Sequence, residues 1–364
     1  MKYIAFSLVS ALAFCIAACS SNNQTERLTP RDSVVKYSSM EGYQDRFINL
    51  FPKFKDYPVT CSEDCYQPSE LLTCNEPMEQ CTYNGDSTPL SLNTGYTVKW
   101  YGHASFRITT PDNQQFLFDP VFNQFDWPVN WAFRLSAGFN RNEPEQLSDS
   151  MLNATDAVLY SHIHYDHFNK GDIQAFSADT AFLTPLGFAE HFPGGDFNIT
   201  EMAWYASKQL GKMNVHFVPG HHFSNRILVP YLYEDENKTL WGGWLLEHQG
   251  NTLFFAGDTG YSPHFKQIRE KYGEIDVCLL PIASYFSAES PAFYRKVHMT
   301  PEDALIAAKE LNCKVMVPWG YGNNSWKMGD KTSHSALFRL LTMHERLASE
   351  IPLHILNEGE QASF

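Results

Sequence analysis

The densest group of chemically capable residues in the chain is His162-x-His164-x-Asp166-His167, three imidazoles and a carboxylate within six positions. On an extended segment alternate side chains leave on the same side, so His162 and His164 project together. Asp166 and His167, after a turn, aim at a second position close by. Neutral imidazole nitrogen and carboxylate oxygen suit zinc, and iron or manganese accept the same set, with one or two ions per chain. Two ions about 3.5–4 Å apart activate a water and clamp the atom it attacks, which is the chemistry of hydrolysis. Two other segments supply matching types: Pro219-Gly220-His221-His222, and Gly257-Asp258, whose carboxylate can bridge two ions.

Such ligands converge only if rigid elements hold them. Each of the three segments follows a short apolar run: residues 157–160, 215–218 and 252–256. Further runs at 97–101, 105–109, 115–118, 277–281 and 314–317 also predict strands. Helices are predicted at 171–176, 263–272, 301–311 and 335–348. The third opens Thr300-Pro301-Glu302-Asp303, with a capping residue, proline in the first turn and acidic residues at the positive end. This alternation is an α/β pattern, and no internal repeat is visible in it. Residues 28–95 read as an extension without an active-site pattern, with a helical patch over 43–54.

Six further segments lie around the metal loop in order: Trp100-Tyr101-Gly102-His103-Ala104-Ser105-Phe106, Leu117-Phe118-Asp119-Pro120, Val218-Pro219-Gly220-His221-His222-Phe223-Ser224-Asn225-Arg226, Leu240-Trp241-Gly242-Gly243-Trp244, Phe254-Phe255-Ala256-Gly257-Asp258-Thr259-Gly260-Tyr261 and His298-Met299-Thr300-Pro301-Glu302-Asp303-Ala304. With the loop they resemble the N-acylphosphatidylethanolamine phospholipase D branch of the metallo-β-lactamase superfamily, over residues 97–340. The resemblance implies an αββα sandwich, two packed mixed sheets with flanking helices. It further implies one ion held by His162, His164 and His222, with Asp258 bridging, and a second held by Asp166, His167 and Asp258. His222, not His221, stands at the matching position.

The resemblance also implies a histidine directly before Trp319-Gly320, where this chain has Pro318. The second position is then weaker, completed by another residue such as His334, or empty. His103 and His298 match positions near the site, where they would bond a ligand or orient a reacting oxygen. Asp166 and His298 are accordingly the catalytic candidates. Asp119 is expected behind the metal loop, holding the far nitrogen of a ligating imidazole. The aromatic stretch 122–139 reads either as core or as a lipid-contacting surface.

Composition narrows the setting. The chain has 364 residues, 27 Lys+Arg against 41 Asp+Glu and a net charge of -14, which argues against nucleic acid as a partner. Residues 1–18 have the charged start and short apolar run of an export signal, closing on Ile16-Ala17-Ala18-Cys19, which resembles a bacterial lipoprotein signal with Cys19 as the lipidated residue. The expected location is the bacterial envelope, lipid-anchored at an outer membrane facing the periplasm. Residues 20–27 read as a flexible tether. Cys61, Cys65, Cys74 and Cys81 form a disulfide-rich stretch with three possible pairings, while Cys278 and Cys313 read as separate small buried residues. The predicted organisation is signal 1–18, tether and extension 19–95 and hydrolase domain 96–364.

The leading expectation is a phospholipase D-type phosphodiesterase, with hydroxide on the metal attacking the phosphorus of an N-acylated phospholipid-like substrate. The alternatives are a lactonase or carboxylic-ester hydrolase of the same fold, and a catalytically inactive metal-binding lipoprotein. A homodimer is implied by the resemblance alone.

Overall fold

The computed structural model describes residues 24–75, 79–86, 90–123, 146–226, 235–286, 291–323 and 332–364. Strand β1 (Gln24–Leu28) is followed by two small hairpins, β2 (Lys36–Tyr37) with β3 (Phe47–Ile48), and β4 (Leu72–Asn75) with β5 (Glu79–Tyr83). Then come β6 (Thr97–Gly102), β7 (Ser105–Thr109), β8 (Gln115–Phe118), β9 (Ala157–Leu159), β10 (Ala181–Pro185), β11 (Asn198–Met202), β12 (Ser207–Leu210), β13 (Met213–Pro219), β14 (Gly242–His248), β15 (Asn251–Phe255), β16 (Val277–Pro281), β17 (Val315–Trp319) and β18 (Gln361–Ser363). The helices are α1 (Asp149–Asn153), α2 (Lys170–Ile173), α3 (His264–Tyr272), α4 (Pro291–Val297), α5 (Pro301–Leu311) and α6 (Ser335–Arg346).

Eight strands form one mixed sheet in the order β1-β11-β10-β9-β8-β7-β6-β18, and six form a second, β12-β13-β14-β15-β16-β17. Period-two alternation sorts the side chains of the first sheet. Phe116, Phe118, Ala157 and Leu159 enter the main core shared with the second sheet, whereas Leu117, Val158, Tyr160 and Phe182 face a separate cluster with Phe168, Ile173 and Phe188. Phe265, Ile268, Leu305, Ala308, Leu337 and Leu340 of α3, α5 and α6 join the main core. The two packed sheets with flanking helices are the expected αββα arrangement.

Register explains why one edge collects the loops. β6 and β8 run the same way, because β7 is antiparallel to both, and β9 is parallel to β8. In the second sheet β13 and β15 are each antiparallel to β14, so they run together. The carboxyl ends of β6, β8 and β9 therefore share one edge, as do those of β13 and β15. A backbone bond from Gly242 N to Ser161 O, 3.1 Å, and a side-chain bond from Trp244 Nε1 to the carbonyl of Tyr160, 3.2 Å, join the sheets there.

The structure corrects several expectations. Residues 43–54 form strand β3 and turns instead of a helix: Phe47 N donates to Asn237 O, and Phe47 and Leu50 are buried against the body. Much of the predicted tether is strand, since β1 lies parallel to β11 and extends the large sheet. Cys278 and Cys313 are joined, with Cα atoms 6.0 Å apart, because Cys313 lies just ahead of β17, the parallel neighbour of β16. The extension cysteines pair as Cys61–Cys65 and Cys74–Cys81. Helix α5 has its full capping box on Thr300 and Asp303. Of the aromatic stretch 122–139, only Phe122 and Asn123 are described, and Phe122 is buried. Cys19 and residues 1–18 lie outside the described residues. Among the described residues no helix is long and apolar enough to cross a membrane.

Candidate metal centre

Three turns leave the shared edge carrying the predicted side chains. The loop after β9 presents His162, His164, Asp166 and His167, the end of β13 leads to His222, and the end of β15 leads to Asp258. At the last, Gly257 has φ +61, and a Cβ there would sit 2.6 Å from Gly242 O and 2.7 Å from Ser161 Cβ. Only glycine lets the two sheets approach this closely just before the carboxylate.

The imidazoles converge. His164 Nδ1 lies 2.8 Å from His162 Nε2 and 3.2 Å from His222 Nε2. His167 Nε2 is 3.2 Å from Asp258 Oδ2 and 3.7 Å from Asp166 Oδ2, and His222 Nε2 is 3.9 Å from Asp258 Oδ2. Ligand atoms bound tetrahedrally at 2.0–2.1 Å are about 3.3 Å apart, so these separations are those of a metal shell.

The far nitrogens are tied. His222 Nδ1–H donates to Val297 O at 2.9 Å, and His167 Nδ1–H to Asp119 Oδ2 at 2.7 Å. Ser161 N donates to Asp119 Oδ1 at 2.6 Å and Ser161 Oγ to Asp119 Oδ2 at 2.5 Å, which leaves Ser161 Oγ to accept from His162 Nδ1–H at 2.9 Å. The near nitrogens of His162 and His222 thus point lone pairs at His164 Nδ1, which can donate to only one of them. Facing lone pairs call for a cation, so the residues fit the metal that the spacing implied.

Burial keeps these imidazoles neutral. It pushes His162 and His222 well below the ordinary value and His164 down to about 4. His167 goes the other way: burial opposes its charge, but the carboxylates of Asp258, Asp166 and Asp119 prevail and hold it well above. For Asp258, burial is likewise outweighed, chiefly by His167 and His298, and the group stays well below the usual carboxylate range. A cation at His167 Nε2 would meet Asp258 and Asp166 in place of the imidazolium proton, while Asp119 keeps the Nδ1–H.

His298 is also present, with Nδ1 3.6 Å from Asp258 Oδ2, and shares a donor group with Asp258 and His222. His103 shares another with Asp166 and His167. Asp119 sits where it was expected, fully buried behind His167. His334 does not join: among the described residues it belongs to no donor group, and its Nδ1 pairs with Ser333 Oγ at 3.0 Å beside the Tyr321 ring. The N-terminus of α6 holds it in that place. His221 also stays out, its amide donating to Thr259 Oγ1.

Two contributors went unrecognised in the sequence. Arg226 Nη1 donates to the carbonyls of Ile163 and Phe168, 2.8 and 2.9 Å, and its guanidinium covers the Tyr165 ring, so it brackets the metal loop. Its place at the end of the segment that supplies His222 was the available signal. Asn49, from the extension, accepts from His222 N at 3.0 Å and donates to His222 O at 2.9 Å. A lone asparagine inside the expected helical patch carried no signal. Beside the centre lies a cavity of about 450 Å³ lined by Asn49, His222, Phe223, Asn225, Phe293 and Lys296, among others.

Comparison with known proteins agrees with this geometry. The profile of the Beta-lactamase superfamily domain matches residues 114–321. A protein of Mycobacterium tuberculosis (strain ATCC 25618 / H37Rv) is 32% identical over 252 residues, 65% of this chain and 60% of that protein. The chain therefore spans somewhat less than two thirds of that relative. N-acyl-phosphatidylethanolamine-hydrolyzing phospholipase D 1 of Caenorhabditis elegans is 27% identical over 277 residues, 72% of this chain and 73% of the other. Among solved structures, the metallo hydrolase Igni18 of Ignicoccus hospitalis superposes with TM-score 0.53 at 21% identity, over 74% of this chain and 98% of the other, a likeness of fold.

Proposed function

The chain belongs to the beta-lactamase superfamily, and we propose that it is a metal-dependent hydrolase, specifically a zinc-dependent phosphodiesterase of phospholipase D type acting on N-acylated phospholipids. The observation that carries this reading is the ligand edge opening beside a cavity with an aromatic pair and a cation. Phe223 and Phe293 lie 5.5 Å apart there, and Lys296 is a third member of the lining. Aromatic rings suit acyl chains, and an ammonium suits a phosphate diester.

His162, His164 and His222 would hold one ion, and Asp166 and His167 a second, with Asp258 shared. A bound ion lowers the pKa of water and neutralises charge developing on phosphoryl oxygens. The chain's own residues do the rest. Asp166 accepts a proton or hydrogen bond from the attacking water, Lys296 draws in the anionic diester, and Phe223 with Phe293 excludes water from the lipid side. His298, kept below the ordinary imidazole value by burial, offers a neutral ring beside Asp258 to receive or return a proton.

An anchor at Cys19 in the bacterial envelope would keep such an enzyme beside its substrate, a reading supported by the Ile16-Ala17-Ala18-Cys19 sequence. The test is direct. Zinc-loaded protein incubated with N-acylphosphatidylethanolamine should release phosphatidic acid and the N-acylethanolamine. Turnover of a lactone or carboxylic ester without phosphatidic acid release would overturn the phosphodiesterase reading.

A further inference from the structure

A second metal position built as the resemblance implies would lack one ligand here, because Pro318 has no ligating atom and sits buried on β17, paired with Leu280 of β16. The structure places another imidazole against the remaining donors. His103 Nε2 lies 3.0 Å from Asp166 Oδ2, and its ring centroid is 5.4 Å from that of His167. One donor atom from each of His103, Asp166 and His167 falls within 4.8 Å of the other two. The 3.0 Å separation matches the roughly 3.3 Å edge of a tetrahedral shell.

The backbone holds His103 there at a cost. It occupies the turn between β6 and β7 with φ 47, following Gly102 at φ 105, and it is buried to 4% exposure. A non-glycine residue in the left-handed region is uncommon and persists where its surroundings fix it. They do so here: Trp100 Nε1 donates to His103 O at 2.9 Å, and the register of the β6–β7 pair shifts between Trp100 and Gly102. The turn thus lifts one side chain of the large sheet's antiparallel half over the metal loop.

We propose that His103 is a ligand of the second metal position and supplies there the imidazole that Pro318 cannot. The position then has Asp166, His167, Asp258 and His103 as its protein donors, taken from β15's end, the loop after β9 and the β6–β7 turn. This rests on the metallohydrolase reading and adds to it the identity of the fourth donor.

The test is titration of metal-stripped, full-chain protein with cobalt(II), read by elemental analysis and by the visible absorption of the bound ion. Wild-type protein should take up two equivalents and His103→Ala one, with at least about 100-fold weaker uptake of the second and an unchanged spectrum for the first. His103→Gln, which keeps a donor for the Asp166 carboxylate but not the imidazole, should behave as His103→Ala. His334→Ala should keep both equivalents. The thermal melt of each metal-free variant, compared with wild type, checks that the variant is folded. Two tight equivalents in either His103 variant would overturn the proposal, as would loss of the second in His334→Ala. One equivalent in wild type and His103→Ala alike would overturn it while leaving a single-metal hydrolase standing. No uptake by wild type would instead remove the metallohydrolase reading beneath it.

Discussion

The ligand edge and the N-terminal extension hold their positions by opposite means. At the edge every candidate side chain leaves the end of a packed strand or an adjoining turn, and the far nitrogens of His162, His167 and His222 are fixed by Ser161, Asp119 and Val297. Among its described residues the extension over 24–95 has short strands, two local disulfides and many exposed residues. Yet it reaches the centre through the side chain of Asn49, which clamps both backbone polar groups of His222 and also accepts from Trp241 Nε1 at 3.0 Å. The candidate ligands therefore sit on long-range sheet structure, whereas a peripheral segment trims the position of one of them. Perturbing each region in turn shows how far damage spreads from it.

The largest effect belongs to the edge. The double variant His162→Ala, His164→Ala removes two facing nitrogens and should lower hydrolysis by about a thousandfold or more, with loss of tightly held metal. Residual activity near that of wild type would remove the metal centre from the mechanism. Next comes Asp119→Ala, which frees the Nδ1 of His167 and the hydroxyl of Ser161 together and should weaken metal affinity by about 10–100-fold. Isothermal titration with zinc measures it, and an unchanged affinity would mean that Asp119 serves folding alone.

The two regions differ just as much in what the sequence revealed. His162, His164, Asp166, His167, His222 and Asp258 were legible because dense ligand types at strand ends are improbable by chance, and all six converge. Strands β7, β8, β16 and helix α5 were legible from apolar runs and a capping box. Strands β10, β11 and β14 were not, since prolines, threonines and a Gly-Gly start obscure them and pairing within the sheet decides their structure. The extension misled for a related reason. Residues 43–54 carry apolar side chains that suit a helix, but Phe47 and Leu50 are buried against distant parts of the chain. The Cys278–Cys313 bridge was hidden likewise, because only the parallel pairing of β16 with β17 brings residues 35 apart together.

Asn49 gives the middle-sized test. Asn49→Ala deletes three hydrogen bonds but leaves every candidate ligand in place, and it should weaken zinc affinity by about tenfold. Removal of both extension disulfides by Cys→Ser changes, with Asn49 kept, serves as the contrast: it should lower the melting temperature and leave the zinc affinity of the folded protein near wild type. Equal loss of affinity in both would show that the extension acts as a whole and not through one side chain.

The smallest effect is one of pH. Glu302 on α5 accepts from Arg339 Nε at 3.0 Å and Nη2 at 2.6 Å, and from the amide of Cys61 in the extension at 3.1 Å. Burial opposes its charge, but Arg339 outweighs this and holds the carboxyl below its usual range. A carboxyl depressed in the folded state contributes stability above its unfolded value of about 4.3, and that contribution is lost as pH falls through the lower, folded value. Neutral and mildly acidic solution should therefore leave the docking of the extension intact, with loosening confined to more acid conditions. Amide exchange around Cys61, corrected for the intrinsic acid rate, should accelerate below about pH 4 before the amides of the metal loop respond. Glu302→Gln should show faster exchange there already at neutral pH and a flatter acid dependence. Simultaneous loss of protection at both places would mean that the extension and the edge unfold as one unit, and the division drawn between them would fail.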